Sequence, residues 1–521
     1  MQIIIPLSGI GKRFINANYK DPKPLILINN KPMIEYVINL FPNEDNFIFI
    51  CNDKHLKETN IKNILESIKP KCKIYSVSVD NRKGPVDAIN QIKDYINDDE
   101  EIIVSYCDYN TEWDYNDFKN KIKDNNVDGA IACYKGFHPH SLGNDNYAYV
   151  KEENNMMIEI QEKKPFTNNK MDEYASNGTY YFKSGKILKK YFQELIDQDI
   201  SINNEYYVSM VYNLIKKDNL NILIFEIKKM LQWGTPKDLE EYLIWSEYFI
   251  NRKSLENDCI KDMILILPMA GGGTRFYNEG YDLPKPLLLI ENESMIIKSV
   301  KCLPGTLKKY FICQNKHLDD YDIKNKILKY YPNSEIIGID YVTNGQACTC
   351  NIIFEKYNID LNKPLMISAC DNGLYYDIKK FYELYNDNEI DIIIFSFSNN
   401  ITSKLYPHMY AWLDVDSNNY IKRVSIKKPF LDCESKYAII GTMVFKKSEY
   451  FKIGLEYIYK YDIKTNNEYY VDNLIEPLIN MGYKCKIFNV DNYLCWGTPN
   501  DYKTYNYWYE YFNSNYNINN I

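Results

Sequence analysis

The sequence predicts two consecutive α/β domains, each built on a mostly parallel β-sheet flanked by helices. Three observations support this prediction: short apolar runs alternate with longer amphipathic segments, the same landmarks occur twice in the same order, and their spacing is nearly constant. Strands that alternate with helices are typical of βαβ units and parallel sheets. Ligands of such sheets bind beyond the carboxyl ends of the strands, so candidate site residues are expected there.

The internal repeat is clearest in the glycine-rich segments IIIPLSGIGKRF and ILILPMAGGGTRF, where Gly9 and Gly271 stand 262 residues apart (271 − 9). The segments Pro-Lys-Pro, NNEYYV and WGTP recur in the same order at offsets of 262 or 263 residues. This period is too long for a solenoid repeat, so each copy is predicted to be a whole domain. We place the copies at residues 1–250 and 263–521, with a polar linker at 251–262.

Local patterns in the first copy support the alternation of strands and helices. Short apolar runs predict buried strands at residues 3–5, 47–50 and 102–104. Between the first two runs, Met33, Val37 and Leu40 fall on one face of a predicted helix. Pro32 precedes this face, and proline is favoured in the first turn of a helix.

Composition argues against several classes of function. The 521 residues carry a net charge of −8, so no overall positive field is available to attract a nucleic acid or an anionic membrane. The 13 cysteines include no CxxC pair, which favours reduced thiols over a zinc site. MQIIIPLSG lacks the basic region of a signal peptide, and no apolar run approaches the roughly 18 residues that span a bilayer. We therefore expect a cytoplasmic protein without nucleic-acid or membrane partners.

A glycine turn, an arginine and a Pro-Lys-Pro follow the first strand of each copy. Glycines let backbone amides approach an anion closely, and successive amides form a phosphate nest. Arg13 and Lys23 add positive charge in the first copy, as Arg275 and Lys285 do in the second. The recurrence of these cations predicts a phosphate site rather than a plain strand-to-helix turn.

The combination GxGxRF followed by PKP resembles the signature of the sugar-nucleotide pyrophosphorylases, nucleotidyltransferases that join an NTP to a sugar 1-phosphate and release pyrophosphate. The resemblance covers nearly all of both copies and implies two Rossmann-like, GT-A-like nucleotidyltransferase domains. By this resemblance, Arg13 and Arg275 stabilise the departing pyrophosphate. Lys23 and Lys285 contact the phosphate under attack.

The chemistry of the reaction agrees with these residue types. A phosphomonoester is already ionised near neutral pH, so its attack needs in-line positioning and cations rather than a general base. Only two histidines recur, His55 and His317, and their position after a strand favours a capping or packing role. A site rich in glycine, arginine and lysine is therefore expected.

A divalent metal ion is also expected, because triphosphate chemistry commonly uses Mg²⁺ held by few carboxylates and water. Asp108 and Asp371 follow buried apolar strands, where the family carries its metal-binding aspartate. Many members carry a second aspartate before the late glycine, and here Gln232 and Cys495 replace it. This replacement leaves two alternatives for the ion.

In the first alternative, one aspartate holds the metal together with phosphates and water. In the second, another acid substitutes, such as Glu205 or Glu468 in the NNEYYV segments. The WGTP segments have a structural interpretation, since Thr235 and Thr498, each with an aspartate three residues later, are predicted to cap the last helix of each copy.

The remaining site residues are predicted from the loops that match the family. The predicted nucleotide-binding residues are Gly9, Gly11, Gly84, Gly271, Gly272, Gly273, Gly345 and Gln346. An amide such as that of Gln346 suits several bases, so CTP, UTP, GTP and dTTP all stay open. The base loops of the two copies differ, which predicts different ligands or the decay of one copy.

The family's Glu-Lys-Pro, which helps to hold the sugar phosphate, is altered to EKKP at residues 162–165 and IKKP at residues 426–429. The lysines nearest the proline remain plausible phosphate ligands, and a glycine before a threonine matches the family's acceptor strand. The predicted acceptor-binding residues are Lys164, Gly178, Lys428 and Gly441.

Two other functions stay open. A metal-dependent GT-A glycosyltransferase would use an Asp-x-Asp motif, but the flanking residues of Asp414-Val-Asp416 predict the edge of a hairpin. Alternatively, one or both copies are non-catalytic domains that sense a nucleotide or sugar phosphate. We favour a tandem nucleotidyltransferase of nucleotide-sugar and surface-glycan biosynthesis, whose copies could pack as an internal pseudo-dimer.

Overall fold

The computed structural model of the chain describes residues 1–78, 80, 83–252, 259–400, 403–404 and 406–516. The chain divides into two compact units, Met1–Ser246 and Glu247–Ile521. Residues 253–258 of the predicted linker lie outside the described residues. Its last four residues, 259–262, belong to the first strand of the second unit.

The first unit alternates strands with helices along the chain, as the apolar pattern predicts. Its strands are β1 (Gln2–Leu7), β2 (Leu27–Ile28), β3 (Lys31–Pro32), β4 (Asn46–Asn52), β5 (Lys73–Val77), β6 (Ile102–Ser105), β7 (Tyr109–Glu112), β8 (Gly129–Tyr134), β9 (Ala148–Glu153), β10 (Met156–Glu162), β11 (Tyr174–Phe182), β12 (Ile222–Glu226) and β13 (Lys229–Gln232). Its helices are α1 (Lys12–Asn16), α2 (Met33–Asn39), α3 (Asp53–Glu58), α4 (Ile61–Ile68), α5 (Pro85–Asn90), α6 (Tyr115–Asp124), α7 (Gly185–Asp197), α8 (Val208–Lys217) and α9 (Pro236–Asn251).

The second unit repeats this alternation. Its strands are β14 (Cys259–Pro268), β15 (Leu289–Ile290), β16 (Glu293–Ser294), β17 (Gly305–Gln314), β18 (Glu335–Ile339), β19 (Leu365–Ile367), β20 (Asn372–Tyr375), β21 (Ile392–Phe397), β22 (Ala411–Val415), β23 (Ile421–Ile426), β24 (Tyr437–Phe445), β25 (Cys485–Asn489) and β26 (Asn492–Cys495). Its helices are α10 (Thr274–Asn278), α11 (Met295–Lys301), α12 (Asn315–Tyr321), α13 (Ile323–Tyr330), α14 (Gln346–Lys356), α15 (Ile378–Asn386), α16 (Ser448–Lys460), α17 (Ile475–Asn480) and α18 (Pro499–Tyr516).

Each unit is organised around one large mixed sheet. In the first unit the strand order is β5-β4-β1-β6-β11-β8-β12-β10-β9, with β5, β4, β1 and β6 paired in parallel. In the second unit the corresponding order is β18-β17-β14-β19-β24-β21-β25, with β22 paired to β24 and β23 paired to β22. The predicted α/β fold is thus confirmed, and the seven strands of the second order match the first position by position.

Both faces of the sheet are covered, which explains why its central strands are apolar without interruption. Along β1, Ile3, Ile5 and Leu7 pack into one core cluster, whereas Ile4 packs into the other. Successive side chains of a strand point to opposite faces, so a strand buried on both sides needs apolar residues at every position. Each fully buried side chain of this size contributes about 1.5–3 kcal/mol.

The last helix of each unit begins at the cap predicted from the WGTP segment. Thr235 Oγ1 accepts a hydrogen bond from Asp238 N at 3.2 Å and donates one to Asp238 Oδ2 at 2.6 Å. Thr498 and Asp501 repeat both contacts at the same distances. These bonds satisfy a backbone donor that the first turn of a helix would otherwise leave unpaired. Within the described ranges, no helix has the length and apolar character needed to cross a membrane.

Candidate nucleotide and acceptor site

The neighbouring parallel strands β1 and β6 bring Lys23 and Asp108 together at their carboxyl ends. Lys23 begins a short 3₁₀ helix after the glycine turn, and Asp108 stands three residues beyond β6. Lys23 Nζ lies 2.5 Å from Asp108 Oδ2 and donates a second hydrogen bond to the Gly234 carbonyl oxygen at 3.0 Å. The side chains are 17% and 27% exposed, so solvent screens this ion pair only in part.

The second unit makes the same contact with its own residues. Lys285 Nζ lies 2.5 Å from Asp371 Oδ2. Burial alone would lower the pKa of Lys285, but the Asp371 carboxylate outweighs burial and the pKa is raised. Lys285 therefore stays positively charged at neutral pH, as a phosphate ligand requires.

A cavity of about 220 Å³ opens beside Lys23 and Asp108 in the first unit. Four of the predicted site residues line it together: Arg13, Lys23, Asp108 and Gly178. Its described lining does not include Gly9, Gly11 or Gly84. This cavity therefore combines the predicted cations with the predicted acceptor strand.

In the second unit a larger cavity, of about 700 Å³, gathers four of the five predicted nucleotide-binding residues of that copy, without Gly345. It is lined by Gly271, Gly272, Gly273, Lys285, Gln346 and Asp371. Gly273 has a φ of 60° and precedes α10, which is the left-handed position that a tight strand-to-helix turn gives to glycine. Arg275 is exposed and does not belong to the described lining of this cavity. A volume of this size falls in the ordinary range of ligand clefts, roughly 300–1,000 Å³.

Gly84 and Gly345, predicted to receive the base, both lie close to the backbone of their own unit. Their φ angles are 92° and 124°. A methyl group at Gly84 would lie 2.8 Å from Tyr206 N, and one at Gly345 would lie 2.6 Å from Tyr469 N. Packing against the NNEYYV segments therefore requires glycine at both positions.

In each unit the lysine that precedes the predicted acceptor lysine is the less exposed of the two. Lys163 lines the first cavity, and its Nζ donates a hydrogen bond to Tyr207 Oη at 2.5 Å, whereas Lys164 is exposed. In the second unit Lys427 is half-buried and Lys428 is exposed. Lys163 and Lys427 both have a φ of 58°, a left-handed conformation that redirects the chain before the proline. The Lys-Pro spacing used in the sequence prediction cannot reveal this turn.

Glu162 is a cavity residue that the sequence prediction left out. It lines the first cavity beside Lys163, and its Oε2 accepts a hydrogen bond from Ser209 Oγ at 2.6 Å. Burial raises the pKa of Glu162, and the contact with Ser209 and the charge of Lys163 oppose this rise. Glu162 and Lys163 are adjacent in the sequence and both line the cavity. This Glu-Lys pair is the sequence signal that could have identified Glu162 as a site residue.

The two glycines of the predicted acceptor strand differ in their surroundings. Gly178 has a φ of 97°, and a methyl group there would lie 3.1 Å from the Tyr106 ring. Its carbonyl oxygen accepts a hydrogen bond from Tyr106 N at 3.0 Å. Gly441 has a φ of 91° and is half-buried, and a methyl group there would lie 3.7 Å from Ala369 Cβ, which is an ordinary contact distance. Both positions therefore favour glycine for their backbone conformation.

Asp108 and Asp371 are the carboxylates that would hold a divalent metal ion. No group of three or more histidine, cysteine, aspartate or glutamate side chains within the described ranges is arranged to hold an ion by itself. A single carboxylate at the edge of a cavity nevertheless fits Mg²⁺, which keeps several waters and binds substrate phosphates. Glu205 Oε2 instead accepts a hydrogen bond from Tyr207 Oη at 2.5 Å, and Glu468 is exposed.

The recurring histidines have different environments. Asn52 caps α3, and its side chain binds both His55 N at 2.7 Å and His55 Nδ1 at 2.9 Å. This agrees with the predicted packing role of His55. His317 instead lines the second cavity, and burial lowers its pKa.

The Asp-x-Asp string of the glycosyltransferase alternative lies in a hairpin. Asp414, on β22, accepts hydrogen bonds from Arg423 Nη2 at 2.9 Å and from Lys436 Nζ at 2.8 Å. Asp416 Oδ1 accepts hydrogen bonds from the backbone of the following turn, including Tyr420 N at 3.0 Å. Both carboxylates thus have structural partners, as the hairpin prediction expects.

Comparison with known proteins places the first unit in a family. The family model described as nucleotidyl transferase matches residues 3–239. These residues belong to the nucleotidyl transferase family. The first unit is accordingly a nucleotidyltransferase domain by family.

A curated relative of this nucleotidyltransferase domain is the bifunctional protein GlmU of Buchnera aphidicola subsp. Baizongia pistaciae (strain Bp). The two are 28% identical over 226 residues, which cover 43% of the chain and 46% of the relative. The chain therefore spans about half the length of this relative.

Two solved structures have a partial likeness to the chain. One is a nucleoside-diphosphate-sugar pyrophosphorylase from Vibrio cholerae RC9, with a TM-score of 0.40 and 19% identity over 46% of this chain and 99% of that one. The other is the inositol-1-phosphate CTP transferase from T. maritima, with a TM-score of 0.37 and 14% identity over 47% of this chain and 96% of that one.

Proposed function

We propose that the chain transfers a nucleotidyl group from an NTP to a sugar 1-phosphate, or to a similar phosphomonoester, and releases pyrophosphate. The observation that carries this proposal is the Lys23–Asp108 contact, repeated by Lys285 and Asp371, at the edge of a cavity in each unit. The membership of residues 3–239 in the nucleotidyl transferase family supports the same reaction class. The products would serve nucleotide-sugar and surface-glycan biosynthesis.

In the proposed reaction, an oxygen of the acceptor phosphate attacks the α-phosphorus in line with the pyrophosphate leaving group. The acceptor is ionised at neutral pH, so no side chain has to remove a proton. Lys23 binds the α-phosphate oxygens and Arg13 binds the leaving group, and both side chains line the same cavity. Fixed cations placed where charge develops in the transition state lower the barrier without reorganisation.

The first cavity also has groups that suit the acceptor. The ammonium group of Lys163 would bind the acceptor phosphate, and the Glu162 carboxylate would accept hydrogen bonds from hydroxyl groups. A buried carboxylate without such a partner is costly, so an acceptor rich in hydroxyl groups is favoured. This is the physical reason for preferring a sugar phosphate over a simple phosphomonoester.

We expect Mg²⁺ to act with these residues. Asp108 and Asp371 would hold the ion, which when bound neutralises charge on the phosphate oxygens. Each aspartate contacts a lysine. The lysine and the Mg²⁺ ion can therefore share the carboxylate while the lysine turns toward the phosphate.

We assign a nucleotidyltransferase domain to each copy, at residues 1–250 and 263–521. The glycine turns differ, since Ile10 and Lys12 of the first correspond to Gly272 and Thr274 of the second. Different loops and cavities of about 220 and 700 Å³ favour different ligands for the two copies.

The test is pyrophosphate release with Mg²⁺, using each NTP against a pool of sugar 1-phosphates and other phosphomonoesters. Release that requires both substrates would support the proposal, and its loss in Lys23→Ala or Lys285→Ala would assign it to a unit. The exposed Lys20→Ala and Lys326→Ala variants serve as charge-matched controls. Nucleotide binding without release from any pair would overturn the proposal and favour a sensing domain, which the missing second aspartates would then explain.

A further inference from the structure

The acceptor sides of the two units differ by the position of one carboxylate. In the first unit, Glu162 is the last residue of β10 and Ser209 is the second residue of α8. The Ser209 hydroxyl donates a hydrogen bond to Glu162 Oε2 at 2.6 Å, so the two positions are in direct contact.

The strand register identifies the residue that corresponds to Glu162 in the second unit. In the β9–β10 hairpin, Ala148 pairs with Glu162. In the β22–β23 hairpin, Ala411 pairs with Ile426. Ile426 therefore stands where the first unit has its acid, and this strand position carries no carboxylate in the second unit.

The lysine after each strand confirms this correspondence. Lys163 N donates a hydrogen bond to the Tyr147 carbonyl oxygen at 2.8 Å, and Lys427 N donates one to the Tyr410 carbonyl oxygen at 3.1 Å. Both lysines have a φ of 58°. The two hairpins thus end in the same backbone geometry.

The position that touches Glu162 in the first unit differs in the opposite sense, since it is Ser209 in the first unit and Asp472 in the second. Ser209 and Asp472 each follow directly after an NNEYYV segment. In the first unit the strand residue, Glu162, is the acid and Ser209 is its partner. In the second unit the strand residue, Ile426, is apolar and Asp472 is the acid.

The surroundings of Asp472 are consistent with this placement. Ile426 and Asp472 line the same small cavity, of about 180 Å³. Burial raises the pKa of Asp472 to about 6, and the charge of Lys427 opposes that rise. Asp472 is thus close to both the strand residue and the lysine that follows it.

We propose that Asp472 supplies the acceptor-binding carboxylate of the second unit. This inference rests on the proposed function. The carboxylate then reaches the acceptor from the helical segment after NNEYYV rather than from the strand. The second unit would accordingly select a phosphomonoester whose hydroxyl groups are arranged differently from those of the first unit's acceptor.

The test uses the full chain with Lys23→Ala, which silences the first unit, and Lys163→Ala, which weakens acceptor binding there. In this background, Asp472→Asn should raise the Kd and KM of the second unit's acceptor by roughly 10- to 100-fold, as expected for losing a charged hydrogen-bond partner. The KM for the NTP should change less than about twofold, because Asp472 does not belong to the described lining of the cavity that holds Lys285 and Gln346. Glu476→Gln, an exposed acid of the same small cavity, should leave all three values unchanged.

A relocation variant separates acceptor binding from a structural role. Ile426→Glu combined with Asp472→Ser recreates the first unit's arrangement and should shift acceptor preference toward that of the Lys285→Ala protein, whose first unit alone is active. Calorimetric titration with each member of the acceptor pool measures binding directly.

An unchanged acceptor Kd in Asp472→Asn would overturn the inference, as would the absence of acceptor binding to the protein that carries Lys23→Ala and Lys163→Ala. Neither result decides the proposed function, because pyrophosphate release by the Lys285→Ala protein tests that reaction in the first unit alone. An equal loss of acceptor and NTP binding would also overturn the inference, since it would indicate a structural role.

Discussion

Lys285 Nζ lies 2.5 Å from Asp371 Oδ2, although the two residues are separated by 86 positions in the chain. Lys23 and Asp108 make the same contact across 85 positions. Each pair joins the 3₁₀ helix after a glycine turn to the residue beyond a neighbouring strand. In the proposed reaction this contact holds the lysine in position until the α-phosphate arrives.

Replacing the aspartate of this pair should change the dependence on metal. In a protein that releases pyrophosphate, Asp108→Asn or Asp371→Asn should raise the Mg²⁺ concentration for half-maximal activity by at least about tenfold in the affected unit, because the only carboxylate expected to hold the ion is removed. Glu205→Ala should leave this concentration unchanged, since Glu205 is bound by Tyr207. A titration of activity with Mg²⁺ measures both. A shift in Glu205→Ala equal to that in Asp108→Asn would show that Glu205 is the second ligand.

The adjacent lysines Lys163 and Lys164 provide a matched pair of variants. Lys163→Ala should raise the KM of the first unit's acceptor by roughly 10- to 100-fold, because its ammonium group lines the cavity and an ionic hydrogen bond would be lost. Lys164→Ala should change it less than about twofold, because Lys164 is exposed. Steady-state kinetics in the Lys285→Ala background compare the two. The reverse order of effects would restore the assignment predicted from the sequence.

Gly345 should tolerate a side chain poorly. Gly345→Ala places a methyl group 2.6 Å from Tyr469 N and imposes a left-handed φ on alanine. The clash and strain should lower the free energy of unfolding by about 1–3 kcal/mol or more. Gly280→Ala isolates the contribution of φ, since Gly280 has a φ of 81° but no neighbour within 4 Å. Denaturant unfolding of both variants measures the difference, and equal losses would show that the backbone of Tyr469 yields freely.

Glu291 should make the stability of the second unit depend on pH. Its side chain is 7% exposed and forms ion pairs with Arg252 and with Lys298, the latter at 2.6 Å. Burial raises the pKa of Glu291, but the two cations outweigh burial and the pKa is lowered below its ordinary value of 4.5. The stabilisation is therefore complete above about pH 4.5 and is lost as the pH falls through the lower pKa of the folded state.

Glu291→Gln should accordingly lower the free energy of unfolding by up to about 3–5 kcal/mol near neutral pH, because Arg252 and Lys298, which are only 18% and 22% exposed, lose their charged partner. The difference in the free energy of unfolding between Glu291→Gln and the unmodified protein should become smaller at acidic pH. Glu335→Gln, which breaks an ion pair that is 42% exposed at the glutamate, should cost less than about 1 kcal/mol at either pH. Denaturant unfolding at neutral and acidic pH tests this, and a deficit independent of pH would contradict the electrostatic explanation.

The candidate site shows which features were accessible from the sequence. Lys23, Asp108, Lys285 and Asp371 were predicted because a motif recurs, and an apolar strand before each aspartate places it at a sheet edge. The helix caps at Thr235 and Thr498 were also predicted from the sequence, because a cap depends on residues that are neighbours in the chain. Lys164 and Lys428 remain predictions from the Lys-Lys-Pro string, which carries no signature of the left-handed residue that precedes each of them.

The duplication, the alternation of strands and helices, and the candidate cations and carboxylates of the site can be recognised in the amino-acid sequence. These features are encoded in local periodicity and in spacing along the chain. The three-dimensional fold was needed to show that Lys163 lines the cavity, that Gly345 packs against the Tyr469 backbone, and that Glu162 touches Ser209. Each of these depends on contacts between segments distant in sequence, where backbone conformation and strand register decide which side chains meet. The exchange of an acid between Glu162 and Asp472 becomes visible only once those registers are known.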